Sequence, residues 1–121
     1  MTRAARSVNL FGWYLLVMGT ALLVSPNTLL GLFALGATTE VWIRVVGMLV
    51  VILGVYYRAA AAAELTPFFL VTVLARASVP VFFIVFVLAG WAEWPLVLFG
   101  IVDGAGALWT WRALQPGSGT A

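Results

Sequence analysis

Four apolar segments, each close to the length of a membrane-spanning helix, follow one another with only short breaks. The first covers residues 8–24 and stops at "SPN", and the others cover 39–58, 66–90 and 94–112. A helix needs about 20 apolar residues to cross ~30 Å of hydrocarbon. Within hydrocarbon, only helices and closed barrels satisfy their own backbone groups. Hydrophobic residues make up 64% of the 121 and charged residues only 8%, where a soluble domain carries about 25% charged. The expectation is an all-α protein: an up-down-up-down four-helix transmembrane bundle over residues 1–114, followed by a disordered tail at 115–121, "QPGSGTA".

Orientation follows from the arginines. With four crossings, Arg3, Arg6, Arg58 and Arg112 fall on one side, and the opposite loops hold no basic residue. The positive-inside rule puts both termini in the cytoplasm. Trp42, Trp91 and Trp94 gather at the outer boundary and Trp109 and Trp111 at the inner one, as aromatic belts do. The first segment follows two arginines as a secretion signal would, but no small-x-small cleavage site follows it, so it reads as a retained span. In the outer loop, "NTLLGLFALG" reads either as a short interfacial helix over residues 27–36 or as an apolar connector packed on the bundle. Thr66 and Pro67 read as the N-cap and first residue of the third helix. The location implied is a bacterial cytoplasmic (inner) membrane.

Several chemistries are excluded by absence. With no cysteine there is no disulfide or thiolate site, and with no histidine the commonest metal ligand and proton shuttle is missing. With no lysine, no Schiff base can form. No metal and no cofactor is expected. The six arginines are spread along the chain, so no nucleic-acid patch is expected either.

The informative residues are the charges placed deep in the spans. Arg76 lies ten residues beyond Thr66, so ~15 Å from the inner boundary. Asp103 lies eight residues beyond Pro95, ~12 Å from the outer one. Arg44 lies ~7–8 Å from the outer surface, with Glu40 one turn above it. An unpaired charge at mid-bilayer costs at least ~2.5–3.5 kcal/mol. Asp103 is therefore expected to pair with Arg76, and to lie between Arg76 and Arg44 in depth. Gly100, Gly106 and Thr110 share the face of Asp103 and allow close helix approach. Thr72, Arg76 and Pro80 form one stripe on the third helix, where Pro80 removes the donor for the Arg76 carbonyl. Gly47 lies on the Arg44 face, and Asn9, Trp13 and Thr20 make a comparable stripe on the first helix. "GWYLLVMG" and "GMLVVILG" share a glycine spacing that reads as a trace of an internal repeat. Tyr14, Tyr56 and Tyr57 read as interface anchors, and Glu64 and Glu93 as solvated loop residues.

The run "RVVGMLVVILGVYYRAAA", the cation in "VLARASVPVFF" and the late "VDGAGALW" resemble small bacterial four-span membrane proteins, the DoxX-like families of unknown function. On residues 40–112, the resemblance implies a site containing Arg44 with Gly47, Arg76, and Asp103 with Trp109. It departs from the pattern in carrying arginine where a lysine is expected in the third helix. It implies a four-helix membrane fold and no particular reaction.

Three functional readings stay open. One is a binding module that holds a lipophilic or anionic small molecule at Arg44, Arg76, Asp103 and Glu40. A second is an accessory subunit, with a homo-oligomer or another membrane protein as partner and the charges as internal structure. A third is a membrane-embedded isomerase, cyclase or hydrolase with Asp103 as general acid or base. Two flanking arginines would hold that carboxylate ionised and make it a weak base, which disfavours the third reading. In all three the lipid bilayer is the surrounding partner.

Overall fold

Each long apolar run becomes a helix, and the residues at its ends explain where it starts and stops. The computed structural model describes residues 1–117, and its regular elements are helices: α1 (Arg3–Val24), α2 (Pro26–Leu32), α3 (Trp42–Ala62), α4 (Thr66–Leu88) and α5 (Leu96–Ala113). The Thr2 hydroxyl accepts from the Ala5 N–H at 3.1 Å. It satisfies one of the open donors of the first turn, so α1 begins at Arg3 and not at residue 8. α3 runs past Arg58 to Ala62 because the added residues are alanines, the best helix formers. α4 is capped by Leu65, not Thr66, and Pro67 sits in its first turn, where a missing N–H costs nothing.

The interfacial helix expected over 27–36 is shorter, ending at Leu32, after which Ala34 takes a positive φ of 55°. The loop is closed by Asn27. Its Nδ2 donates to the Thr38 carbonyl at 3.0 Å, and its Oδ1 accepts from the Thr38 N–H at 2.9 Å. Of the expected tail, residues 118–121 lie outside the described residues; 115–117 form a turn leading off α5.

Among the described residues, α1, α3 and α4 are long and apolar enough to cross a membrane. α5 has 18 residues and carries Asp103, Gly104, Gly106 and Thr110 through its middle; by length and composition it is not among the three. Large apolar side chains are exposed along all four long helices, among them Val17, Leu53, Leu74 and Leu108. Lipid contact accounts for such a surface; water does not.

α1 is the hub. It packs most extensively on α3 and also touches α5, α2 and α4, while α4 packs mainly on α5. The α1/α3 seam is made by glycines. A Cβ on Gly19 would lie 2.8 Å from the Gly47 carbonyl oxygen, and one on Gly47 would lie 2.6 Å from the Leu23 nitrogen. Gly12 and Gly54 meet in the same way one end further along. The shared glycine spacing of "GWYLLVMG" and "GMLVVILG" is thus a matched antiparallel seam, with backbones drawn together where side chains are missing. On the other side, Gly100 accommodates Pro80, whose Cα would be 2.8 Å from an added Cβ. The buried side-chain cluster of Val8, Phe11, Leu15, Tyr57 and Phe69 lies toward the end where α1 begins and α3 finishes.

Candidate functional site

Arg76 is only 2% exposed, and its guanidinium is the point on which the four long helices converge. Nε donates to the Thr72 carbonyl at 3.2 Å, and Nη2 donates to the hydroxyls of Thr72 at 3.0 Å and Thr110 at 2.8 Å. Cζ lies 4.7 Å from the centre of the Phe11 ring and 5.6 Å from that of Tyr57. α4 thus supplies the arginine and Thr72, α5 supplies Thr110, and α1 and α3 each supply an aromatic face. A ring face attracts a cation through its quadrupole, and more so when water is excluded.

The hydroxyls form a chain with one sense. Ser7 Oγ donates its single hydrogen to the Ala4 carbonyl at 2.7 Å, so in its 2.7 Å bond with Thr110 it is the acceptor. Thr110 then donates to Ser7 and keeps its lone pairs for Arg76. Thr72 likewise donates to the Phe69 carbonyl at 2.8 Å and accepts from Arg76. Every dipole around the guanidinium presents oxygen to it, yet among the described residues no carboxylate bonds to it. Nη1 is buried with no hydrogen-bond partner among the described residues. It lies against Gly106, where an added Cβ would be 3.1 Å from it.

The expected pairing of Asp103 with Arg76 is not found: the bonds of Arg76 go to Thr72 and Thr110, and Asp103 makes no hydrogen bond or ion pair among the described residues. Helical side chains lean toward the N-terminus of their own helix. α4 and α5 are antiparallel, so Arg76 leans toward the end where α4 begins and Asp103 leans away from it. Asp103 sits three residues, or ~4.5 Å, outward of Gly106 on α5. It remains within electrostatic reach of Arg76, Tyr14 and Tyr57.

Arg44 is separate from this cluster. It is exposed and donates to the carbonyls of Leu23 and Val24, the last two residues of α1. A cation there caps the negative end of the α1 dipole. Arg44 is level with Leu23 while Asp103 is level with Tyr14, a difference of nine residues, or roughly 13 Å. Glu40 is exposed in the loop between α2 and α3, its N–H on the Thr38 hydroxyl at 3.2 Å. Gly47 belongs to the α1/α3 seam, and Pro80 and Gly100 pack together one turn outward of Arg76. Asn9 is half-buried and makes no side-chain hydrogen bond among the described residues. The structure therefore unites Arg76, Thr72, Thr110 and Gly106, with Asp103 nearby, and leaves out Arg44, Glu40, Gly47 and Asn9.

Three participants were not singled out for the site from sequence: Ser7, Phe11 and Tyr57. Ser7 lies on the α1 face that carries Phe11, one turn earlier, and that spacing is its only signal. Tyr57, read as an interface anchor, is buried with its ring edge-on to Phe68, centres 5.7 Å apart. Comparison with family models, with curated proteins and with solved structures returned no match.

Proposed function

We propose that the chain is a multi-pass protein of the bacterial cytoplasmic membrane that binds a lipophilic molecule through an anionic or carbonyl oxygen at Arg76. In this reading α1, α3, α4 and α5 are four alternating spans, and both termini are cytoplasmic. Arg3, Arg6, Arg58 and Arg112 share one end of the molecule. There the Thr2 N–H and hydroxyl also bond the Glu64 carboxylate at 3.0 and 2.7 Å. α5 runs antiparallel beside α1 and α4 and exposes Leu98, Ile101 and Leu108 as a span would.

The observation that carries the binding reading is Arg76 Nη1, a buried cationic donor with no acceptor among the described residues. An unmade hydrogen bond at a buried group costs about 1–3 kcal/mol, more for a charged one. A ligand oxygen that reached Nη1 would recover that cost, and an anionic one would add a negative charge in direct contact with the guanidinium. Asp103, one turn outward and itself unpaired, is available to a hydroxyl or amine on the same ligand.

The test is extraction of purified protein into organic solvent followed by mass spectrometry, for wild type, Arg76→Lys and Asp103→Asn. Wild type should release a lipophilic molecule that both folded variants lack. If wild type releases none, the binding reading fails. A second reading, an accessory subunit held rigid by its buried charge, draws on the same guanidinium's contact with all four long helices. It gains if Arg76→Ala and Asp103→Ala change only thermal stability.

A further inference from the structure

The donor left over at Arg76 stands directly behind an open groove. Between α1 and α5, Leu10, Phe11 and Tyr14 face Val102, Gly106 and Trp109 across an apolar groove of about 290 Å³. Val102 and Trp109 lie seven residues apart on α5, roughly 10 Å of helix rise. Leu10, Val102, Trp109 and the neighbouring Ala105 are exposed, while Phe11 and Gly106 are buried. The exposed four make the rim, which opens sideways, and the buried two make the floor. That floor is thin. A Cβ built on Gly106 would stand 2.7 Å from Cδ2 and Cε2 of Phe11 and 3.1 Å from Nη1 of Arg76. A ring edge and a residue without a side chain thus stand between the groove and a buried cationic donor that has no acceptor among the described residues. The Phe11 ring packs on those of Tyr14 and Tyr57, centres 5.2 and 5.9 Å away. These are apolar contacts that the methylenes of a ligand can replace.

We propose that the groove seats one long-chain carboxylate, a free fatty acid taken sideways from the bilayer. Its chain lies along α1 and α5, and its carboxylate displaces the edge of Phe11 to accept from Arg76 Nη1. This inference rests on the binding reading above and names its ligand and route. Charge complementarity chooses the head. A charge-assisted bond between guanidinium and carboxylate is roughly twice as strong as one between neutral groups. Nε and Nη2 are already engaged by Thr72 and Thr110, so the carboxylate meets the guanidinium through Nη1. Depth chooses its size. Arg76 lies ten residues into α4, ~15 Å of helix rise. A phospholipid headgroup would have to leave the interface to reach it, whereas a carboxylate is small enough to follow its chain. There the carboxylate exchanges water for the guanidinium, the compensation that a buried charge requires. An apolar trough with one placed polar group is the usual form of a small-molecule site.

The experiment is native mass spectrometry of the full chain in detergent, titrated with oleate or with methyl oleate, which keeps the chain and loses the charge. Wild type should bind one oleate, at least tenfold more tightly than methyl oleate. R76Q should bind the two about equally. A105F places a ring in the groove from its exposed rim, away from the guanidinium. It should cut oleate uptake severalfold while leaving the circular dichroism spectrum unchanged. Equal uptake of oleate and methyl oleate by wild type would overturn the proposal, as would wild-type oleate uptake in A105F. Failure of wild type to take up oleate would overturn it too, and the solvent extract then separates the two readings. An extract that still yields a molecule absent from Arg76→Lys keeps the binding site and removes the fatty acid. An empty extract removes both.

Discussion

Along the α1/α3 seam no side chain stands between the backbones at Gly12, Gly19, Gly47 and Gly54. Where α4 meets α5 and α1, by contrast, a guanidinium and three hydroxyls occupy the space between helices. Lipid supplies little hydrophobic drive for helices to associate, so each seam needs another source of adhesion. The glycine seam gains close van der Waals contact and has nothing to satisfy. The polar junction gains directional bonds and carries the risk of every buried polar group, which Arg76 Nη1 exemplifies. A seam of the first kind is a fastening alone. One of the second kind can also leave a donor over for a ligand.

Gly47→Leu should break the first seam and have the largest effect. Even a Cβ there would meet the Leu23 nitrogen at 2.6 Å. Backbone offers no slack, so the loss should exceed the ~1–3 kcal/mol usual for overpacking, read as a fall in Tm in detergent. Thr110→Val tests the second seam at constant volume. It removes one acceptor of Arg76 and the donor to Ser7, and should cost about 1–2 kcal/mol. Asp103→Asn sharpens the contrast further: with no bond to Arg76 to lose, it should leave Tm within about 0.5 kcal/mol of wild type. A loss as large as that of Thr110→Val would mean that the carboxylate, not the hydroxyl chain, holds the junction.

The smallest effect should come from Glu64, outside both seams. Its bonds from Thr2 hold the carboxyl below the ordinary value of 4.5. Stabilisation from a depressed pKa is present above that value and is lost as the pH falls through the lower, folded one. Wild type should therefore show a slight drop in Tm on acidification below about 4.5, and Glu64→Gln should not.

The class of the protein was legible because its evidence is additive: long runs of apolar residues need no partner to be recognised. The place of Arg76 near the middle of a long helix was legible for the same reason, since α4 does start at Thr66 and helix rise is constant. What the side chain touches depends on lean, and lean depends on chain direction. Antiparallel neighbours at similar depth look like partners on paper, but Arg76 and Asp103 lean apart. Arg44 shows a second limit. Its place near the start of α3 was readable, but its partners are backbone carbonyls at the end of α1, and backbone acceptors have no letter in a sequence. Phe11 and Tyr57 were hidden by number, two aromatic residues in a chain that is 14% aromatic. The glycine spacing was visible and was read as ancestry; the structure makes it a contact.

The bond between Ser7 and Thr110 joins residues 103 positions apart, and this sets an order for biosynthesis. A ribosome releases Ser7 well before Thr110. α1 can find α3 as soon as the glycine seam has emerged, but α4 must then enter the membrane with Arg76 lacking its acceptor on α5. Until α5 follows, that cation depends on Thr72, the two rings and whatever the insertion machinery offers. A chain halted after α4 would carry its most costly residue without its principal interhelical bond, so quality control has a defined intermediate to recognise.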